Sequence, residues 1–350
     1  MARAVVLAQG NLSVALVSVD VLLVPAALRE KVESRVRDLG LAGVLVAATH
    51  THAGPGGFWD DVLGARFATG PFDRAWEEAL AGRIAEAVRV AASARAPARL
   101  AVGTSRRTDL VLNRNGGGSG GELAVLRLER PDGAVAGQVV IFPAHPTTLG
   151  SDNRLLSADW PGVLARELPG VTVFLQGAEG DQTWARAPVG AAPARETFGR
   201  LVAGAVKEVA LAPAAEAPAL GLAVARVTLP PPSFGAVPPF LDRLVGNLLW
   251  SWMPERTDVA VLQVGPVTLL AVPAEPGEAV GQAWRTALGP GTVVVSLVGD
   301  YVGYVETPER VRARTGEAVR SYLGPRLALV LGDGLVAAQE ALASAPAAGR

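Results

Sequence analysis

Short apolar runs alternate with amphipathic segments along most of the chain. Residues 44–48 form a short apolar, β-branched run, which indicates a buried strand. Residues 72–94 instead place apolar side chains at helical spacing, which predicts a long amphipathic helix. The pattern predicts strands at 4–8, 13–19, 44–48, 98–104, 122–129, 134–142, 171–175, 221–229, 259–264, 267–272 and 292–297. It predicts helices at 25–39, 72–94, from 161 onward, 197–211, 241–252, 276–288 and 326–342.

Strands that alternate or pair with helices throughout a chain are typical of the α/β class. We therefore predict a layered α/β domain in which central mixed β-sheets are flanked by helices and a site lies at strand ends. The chain is interpreted as a single domain over residues 1–350, with a proline-rich surface excursion at about 212–240.

Composition narrows the possible partners. The net charge of −1 gives no indication of nucleic-acid binding. The first apolar segment, residues 4–24, is interrupted by polar residues and glycine, so we predict neither an integral membrane segment nor a secretory signal. The default localisation is therefore the cytoplasm. With no cysteine, any metal must be held by nitrogen and oxygen ligands.

Polar side chains follow five of the predicted strands. His50 and His52 come directly after the strand at 44–48, and alternation along a strand predicts that both rings point to one side. His145, the third and last histidine, follows another strand in the same way. Loops that leave one edge of an α/β sheet converge on a common crevice. The groups expected there are His50 with His52, His145, Glu179 with Asp181, Glu275, and Tyr304.

Imidazole and carboxylate ligands without thiols are typical of a catalytic zinc site, and His50, His145 and Glu275 supply them. Each residue also has a structural interpretation. A single histidine at a strand end is more often structural, and Glu275 fits a turn before a helix. Asp159 and Asp181 fit helix caps or Asx turns. Trp250 and Trp252 fit either the core or an apolar substrate entrance.

The motifs resemble those of one family. The segment ATHTHAGPGG at 48–57 is similar to the zinc-binding signature of the neutral/alkaline, non-lysosomal ceramidases. Further segments similar to that family follow in the family's order: Asn113-Arg114, FPAHPTTLGSDNRLLSADWPG at 142–162, GAEGDQT at 177–183, VPAE at 272–275 and DYVGYVETPE at 300–309. The chain is identified as a short member of the family that contains its N-terminal catalytic domain and lacks the C-terminal immunoglobulin-like domain.

The resemblance implies a zinc-dependent amidohydrolase that cleaves an N-acyl bond in ceramide or a related lipid amide of sphingolipid metabolism. It implies Zn²⁺ as the cofactor and a small-molecule or lipid amide as the substrate. The implied zinc ligands are His50, His145, Glu275 and Tyr304, with Tyr301 as the alternative to Tyr304. The implied catalytic residues are His52, Arg114, Thr183 and Asp181. Zinc-activated water would attack the amide, Arg114 would stabilise the oxyanion, and His52 would protonate the leaving amine.

Two positions depart from the family pattern. Thr183 stands where the family has a serine, and Trp184 follows it in place of proline. The β-methyl group of threonine crowds a nucleophilic attack, which favours activated water over a covalent route. The departure also supports an alternative, a non-catalytic relative that retains the metal. A zinc hydrolase of small N-acyl amino acids is a third possibility.

Overall fold

Three mixed β-sheets surround a common apolar core, and each carries helices on its outer face. The computed structural model describes residues 1–61, 64–185, 192–212, 218–233 and 254–344. Within these ranges the predicted fold class, layered α/β with mixed sheets flanked by helices, is confirmed.

The first sheet contains a hairpin and one parallel strand. Strands β1 (Ala2–Gln9) and β2 (Leu12–Val19) are antiparallel, and β3 (Gly43–Ala48) pairs parallel to β2. Helices α1 (Ala26–Arg35) and α2 (Arg74–Ser93) cover the outer face, where their apolar residues pack in one cluster with those of the strands.

The second sheet has the order β4-β6-β7-β8, and only β7 and β8 are parallel. Residues from α3 and α4 pack against its outer face. The bounds are β4 Arg99–Arg106, β5 Val111–Asn113, β6 Glu122–Glu129, β7 Val135–Phe142, α3 Asp159–Glu167, β8 Val171–Gln176, β9 Gln182–Trp184 and α4 Ala192–Glu208. The short strands β5 and β9 form a separate antiparallel pair.

The third sheet has the order β10-β11-β12-β14, and only β12 and β14 are parallel. Helices α5 and α7 pack against its outer face. The bounds are β10 Leu220–Thr228, β11 Arg256–Val264, β12 Val267–Ala271, β13 Glu275–Pro276, α5 Glu278–Leu288, β14 Thr292–Val295, β15 Tyr304–Val305, α6 Pro308–Ala313 and α7 Leu327–Ser344. Strands β13 and β15 form a short parallel pair.

Side chains that alternate along the strands divide the apolar core into four clusters. One cluster lies between the three sheets, and each of the other three lies between one sheet and its helices. On β2, for example, Leu16 packs in the central cluster while Val17 faces α1 and α2. On β12, Leu269 is central and Leu270 faces α5 and α7. Because successive side chains of a strand point to opposite faces, an almost continuous apolar strand is buried on both sides.

The predicted elements differ from the observed ones mainly at their ends. The helix predicted at 25–39 stops at Arg35 and continues as a 3-10 turn, Arg37–Leu39, before Gly40 at φ 62°. The helix predicted at 197–211 begins five residues earlier, at Ala192, and ends at Glu208. The helix predicted at 241–252, with Trp250 and Trp252, lies outside the described residues, as do residues 213–217 and 234–240 of the proline-rich segment.

Helix α7 is the one described helix long and apolar enough to cross a membrane by length and composition. Its apolar residues Leu327, Leu331 and Leu335 are buried in the cluster that covers the third sheet. A buried apolar stripe of this kind is also what a core helix of a globular protein has.

Each large sheet contains one parallel pair, and the loops after these pairs meet. The Ser296 amide donates to the carbonyl of Gln176, and the Gln176 side chain donates to the carbonyl of Thr49. These contacts join the ends of β14, β8 and β3. The carboxyl ends of these three strands, one from each large sheet, therefore lie next to one another. This is where an α/β fold is expected to have its crevice.

Candidate active site

All three histidines lie together at this shared edge. The ring centroids of His50 and His145 are 4.8 Å apart, those of His50 and His52 5.0 Å, and those of His52 and His145 6.0 Å. One ring nitrogen from each lies within 4.8 Å of the other two, close enough to hold a metal ion. His50 and His145 are buried, whereas His52 is exposed to solvent.

The local backbone, and not strand alternation, directs His50. Strand β3 ends at Ala48, and His50 has φ 67°, in the left-handed region. We expected the rings of His50 and His52 to point to one side because both residues would continue the strand. The rings do lie together, but neither residue belongs to the strand, so that explanation is wrong. The rings come together because the chain turns sharply at His50, whose amide donates to the carbonyl of Val21. A left-handed non-glycine residue is strained, and such strain is frequent at functional sites.

Backbone carbonyls fix the tautomers of both buried histidines. His50 Nδ1 lies 2.6 Å from the carbonyl oxygen of Leu22, and His145 Nδ1 lies 2.9 Å from that of Gln182. A carbonyl only accepts hydrogen bonds, so both Nδ1 atoms carry a proton and donate. Each Nε2 is then left with a lone pair, and this is the usual arrangement for a metal-binding histidine.

Both Nε2 atoms lie close to one carboxylate. Glu275 Oε2 is 3.2 Å from His50 Nε2 and 3.2 Å from His145 Nε2, and the Tyr304 hydroxyl is also 3.2 Å from His145 Nε2. The parallel pairing of β13 with β15 places Glu275 directly opposite Tyr304. The structure thus brings together all four residues that the sequence resemblance implies as zinc ligands.

This donor set fits a metal ion. His50 Nε2 is buried and has no hydrogen-bond partner among the described residues, although Glu275 is near, because the geometry is not that of a hydrogen bond. Two imidazole lone pairs and a carboxylate repel one another unless a positive charge lies between them. Donor atoms of a tetrahedral zinc ion, each at about 2.0–2.1 Å, lie about 3.3 Å apart. The spacing in this protein is therefore close to that of a tetrahedral site.

The electrostatics of the buried pair keep Glu275 ionised. Burial opposes its charge, but His50 and His145 outweigh burial and hold the pKa of Glu275 well below its usual value. Burial likewise disfavours a charged His50, yet Glu275 raises the pKa of His50. Burial lowers the pKa of His145 to about 4. The site therefore presents a carboxylate and a neutral His145 at neutral pH.

The two candidate tyrosine ligands have different roles. Tyr304 faces His145, with the two rings stacked at a centroid distance of 6.4 Å. The Tyr301 hydroxyl instead donates to Glu275 Oε1 at 2.6 Å, which orients the carboxylate. Burial, together with the charge of Glu275, raises the pKa of both hydroxyls above the usual value. Tyr304 is thus the phenol beside the histidines, and Tyr301 supports Glu275.

His52 and Arg114 lie at the open side of the site. His52 keeps an exposed face, but desolvation by the neighbouring protein atoms, together with His50 and His145, lowers the pKa of His52 to about 3. The Arg114 guanidinium donates to the carbonyl of Gly180 at 2.6 Å and lies 3.3 Å from His145 Nε2. A neutral imidazole and a fixed cation therefore face the same space.

Asp181 and Thr183 contact the residues around the histidines and are connected to the site through them. The Asp181 carboxylate accepts hydrogen bonds from the Asn113 side chain at 2.9 Å and from the Glu278 amide at 2.9 Å, and its carbonyl accepts from the Arg114 amide. It therefore supports the Arg114 segment. Thr183 lies in β9 and pairs through a β-bridge with His145, so it is adjacent to the site through the backbone.

The sequence assigned no chemical role to three further residues near the site, although it placed one of them, Glu179, among the polar groups at the crevice. Glu179 is fully buried, and its carboxylate accepts a hydrogen bond from the Ser296 hydroxyl. Glu317 forms ion pairs with both Arg114, at 3.2 Å, and Arg320. The Arg320 guanidinium lies 5.9 Å from the centroid of the Tyr304 ring. Polarity after β8 singles out Glu179, but only the tertiary contacts reveal Glu317 and Arg320.

Comparisons with known proteins bear on the family of the chain and on its fold. Residues 1–117 match the family model described as neutral/alkaline non-lysosomal ceramidase, N-terminal. The fold is similar to that of neutral ceramidase from Pseudomonas aeruginosa, with a TM-score of 0.79 and 21% identity over 94% of this chain and 67% of that one. It is also similar to a ceramidase complexed with C2, with a TM-score of 0.83 and 20% identity over 99% of this chain and 72% of that one. The family model confirms the resemblance predicted from the motifs over residues 1–117, and the solved structures confirm the similarity of the fold.

Proposed function

We propose that this chain, which matches the neutral/alkaline ceramidase family over its first 117 residues and has the neutral ceramidase fold, is a zinc-dependent amidohydrolase. Its substrate would be ceramide or a related N-acyl lipid. The proposal extends the family's amide hydrolysis to a stated metal, a ligand set and a mechanism.

One observation carries the proposal. The Nε2 atoms of His50 and His145 and the carboxylate of Glu275 converge at spacings of 3.2 Å, with the Tyr304 hydroxyl at the same distance from His145 Nε2. These residues come from distant parts of the chain, and a cation between them would be attracted to the carboxylate and to the imidazole nitrogens. We infer that these four side chains bind the zinc ion.

A bound zinc ion would supply Lewis acidity toward the substrate carbonyl and lower the pKa of water. The chain's own residues supply the remaining functions. His52 lies at the solvent side of the site, where its imidazole would accept a proton from water and pass it to the leaving amine. The Arg114 guanidinium donates to the oxyanion that develops on the amide carbonyl.

Arg114 is oriented before substrate arrives. Its guanidinium donates to the carbonyl of Gly180 through one nitrogen and forms an ion pair with Glu317 through another. Preorganised donors stabilise a transition state without having to reorient during the reaction, so this arrangement supports a catalytic role for Arg114. Thr183 lies beside His145 in this proposal and is not required as a nucleophile.

The test combines metal content with turnover. Purified wild-type protein, loaded with zinc, should hold one zinc per chain and should hydrolyse long-chain N-acylsphingosine. Glu275→Gln keeps the shape of the side chain but removes its charge, so zinc content should fall well below one and kcat/KM should fall at least about 100-fold. The matched control is Glu208→Gln, since Glu208 is exposed and pairs only with Arg107 among the described contacts. Glu208→Gln should change neither the zinc content nor kcat/KM.

The other outcomes contradict the proposal in different ways. Full activity in a zinc-free protein would exclude the metal mechanism. Zinc binding without turnover of long-chain, short-chain or amino-acid amides would favour the non-catalytic relative. Turnover restricted to N-acyl amino acids would replace the lipid substrate with a small one.

A further inference from the structure

We propose that the loop 151–157 docks the protein onto a lipid bilayer, with Leu155 and Leu156 inserted among the acyl chains beside the mouth of the candidate site. This inference rests on the proposed function, because a lipid amide resides in a membrane. It adds a surface and a partner that the hydrolytic mechanism does not require.

The two leucines are unusually exposed. Leu155 and Leu156 have 77% and 75% of their surface accessible, and among the described large apolar side chains only Met1, at the chain end, exceeds them at 80%. They are also neighbours in sequence. Adjacent exposed leucines cost free energy in water, so they indicate a surface that meets an apolar partner.

The loop has a defined structure that turns these side chains outward. The Asn153 amide group donates to the carbonyl of Leu155 at 2.7 Å, and its oxygen accepts from the Leu155 amide at 3.3 Å. Arg154 donates to the carbonyl of Ser151 at 3.1 Å. The backbone polar groups of this loop are thus partly satisfied within the loop, which suits a segment that enters a polar–apolar boundary.

The loop is attached to the residues on either side of His52. The Ser157 amide donates to the carbonyl of Ala53 at 2.8 Å, and the Thr51 hydroxyl donates to the carbonyl of Ser157 at 2.7 Å. Leu156 therefore directly precedes Ser157, which contacts the residues before and after the solvent-exposed His52. A bilayer that receives these leucines would lie next to the entrance of the site.

The features of the loop favour a lipid surface over a second copy of the chain. Two leucine side chains supply on the order of 200 Å² of apolar surface, whereas each partner of a stable protein interface contributes about 800 Å². Insertion into a bilayer, unlike a stable protein interface, does not need an apolar surface larger than these two side chains provide. Arg154, exposed and directly before the leucines, is placed to meet lipid phosphate while its aliphatic stem stays in the apolar layer.

The experiment measures vesicle binding and does not depend on turnover. Zinc-loaded wild-type protein is sedimented with phosphatidylcholine vesicles and with vesicles that also contain phosphatidylserine. The double variant Leu155→Ser/Leu156→Ser should bind both at least about tenfold more weakly. Arg154→Gln should weaken binding mainly to the anionic vesicles. The control Val90→Ser/Val224→Ser changes two exposed apolar residues on α2 and β10 and should bind like wild type.

Equal vesicle binding by wild type and the leucine variant, or no binding by wild type, would overturn the proposal. A wild-type dimer that the double variant converts to a monomer would assign the loop to a contact between copies instead. Thermal unfolding of each variant identifies any that fails to fold, and Leu155→Gln and Leu156→Gln single variants then replace it. Failure of the hydrolase proposal is separate, because it appears in zinc content and turnover.

Discussion

At the scale of single residues, the site depends on hydrogen bonds that the sequence motifs by themselves do not show. The carbonyl oxygens of Leu22 and Gln182 decide which nitrogen of His50 and His145 is free. The Tyr301 hydroxyl decides how Glu275 is turned. A substitution that keeps the four proposed ligands but shifts one of these partners would therefore disturb the site.

Glu179 links the site to pH. Burial, together with the nearby charge of Glu275, raises the pKa of Glu179 to about 8. In the unfolded chain this carboxyl has its usual pKa of about 4.3. Between these two values the folded protein holds a proton that the unfolded chain has released, so the free energy of unfolding decreases as pH rises.

We expect Glu179→Gln to remove this dependence, because glutamine has a similar shape and does not ionise. In metal-free protein, the stability of the variant relative to wild type should increase between pH 5 and pH 8. The expected slope is on the order of 1 kcal/mol per pH unit, measured by urea unfolding at several pH values. Glu208→Gln, on the surface, serves as the control. A constant difference between Glu179→Gln and wild type across this range would show that Glu179 is ionised in the folded protein.

At the scale of elements, the loop between β7 and α3 is held by one buried carboxylate. Asp159 accepts hydrogen bonds from the amides of Thr148 at 3.0 Å and Trp160 at 2.6 Å, and from the Thr148 hydroxyl. It does so with φ 55°, in the left-handed region. This one residue thus connects the start of α3 to the segment that follows His145.

We expect Asp159→Ala to destabilise the protein by about 3 kcal/mol, because buried donors lose their acceptor and alanine is strained at positive φ. Asp159→Asn should cost less, about 1–2 kcal/mol, since asparagine tolerates this backbone conformation and keeps one acceptor. Urea unfolding of both variants measures these values. Asp152→Ala, an exposed position in the same connection, should stay within about 0.5 kcal/mol of wild type. Equal costs for the alanine and asparagine variants would exclude a contribution from the backbone conformation.

At the scale of the whole molecule, the site joins three sheets. His50 follows a strand of the first sheet and His145 one of the second, while Glu275 and Tyr304 follow strands of the third. A cation bound by all of them would hold the sheet edges together as well as support chemistry. Metal binding and folding stability should therefore be coupled.

We expect chelation to lower the thermal midpoint of zinc-loaded wild-type protein by several degrees, because a ligand that binds only the folded state stabilises it. Glu275→Gln should show little change on chelation, since it lacks a proposed ligand. Scanning calorimetry with and without chelator makes the comparison, and added zinc should restore the wild-type midpoint. An identical wild-type midpoint in both conditions would contradict zinc binding at this site.

Hydrophobic periodicity alone determined the class of the fold and most of its elements. The apolar runs near residues 44–48 and 171–175 are strands and the segment near 72–94 is a helix, because local burial patterns repeat at the period of each structure. The motifs also selected His50, His145, Glu275 and Tyr304, the four proposed zinc ligands, by their residue types and their order.

Tertiary structure alone decided how these groups meet. The left-handed turn at His50, the register of Glu275 opposite Tyr304 and the pairing of Glu317 with Arg114 join residues that are far apart in the chain. Local sequence preferences cannot encode such contacts, because they depend on how three sheets pack around one core. The residue types were therefore readable from the sequence, whereas their distances, protonation and partners arose from the fold.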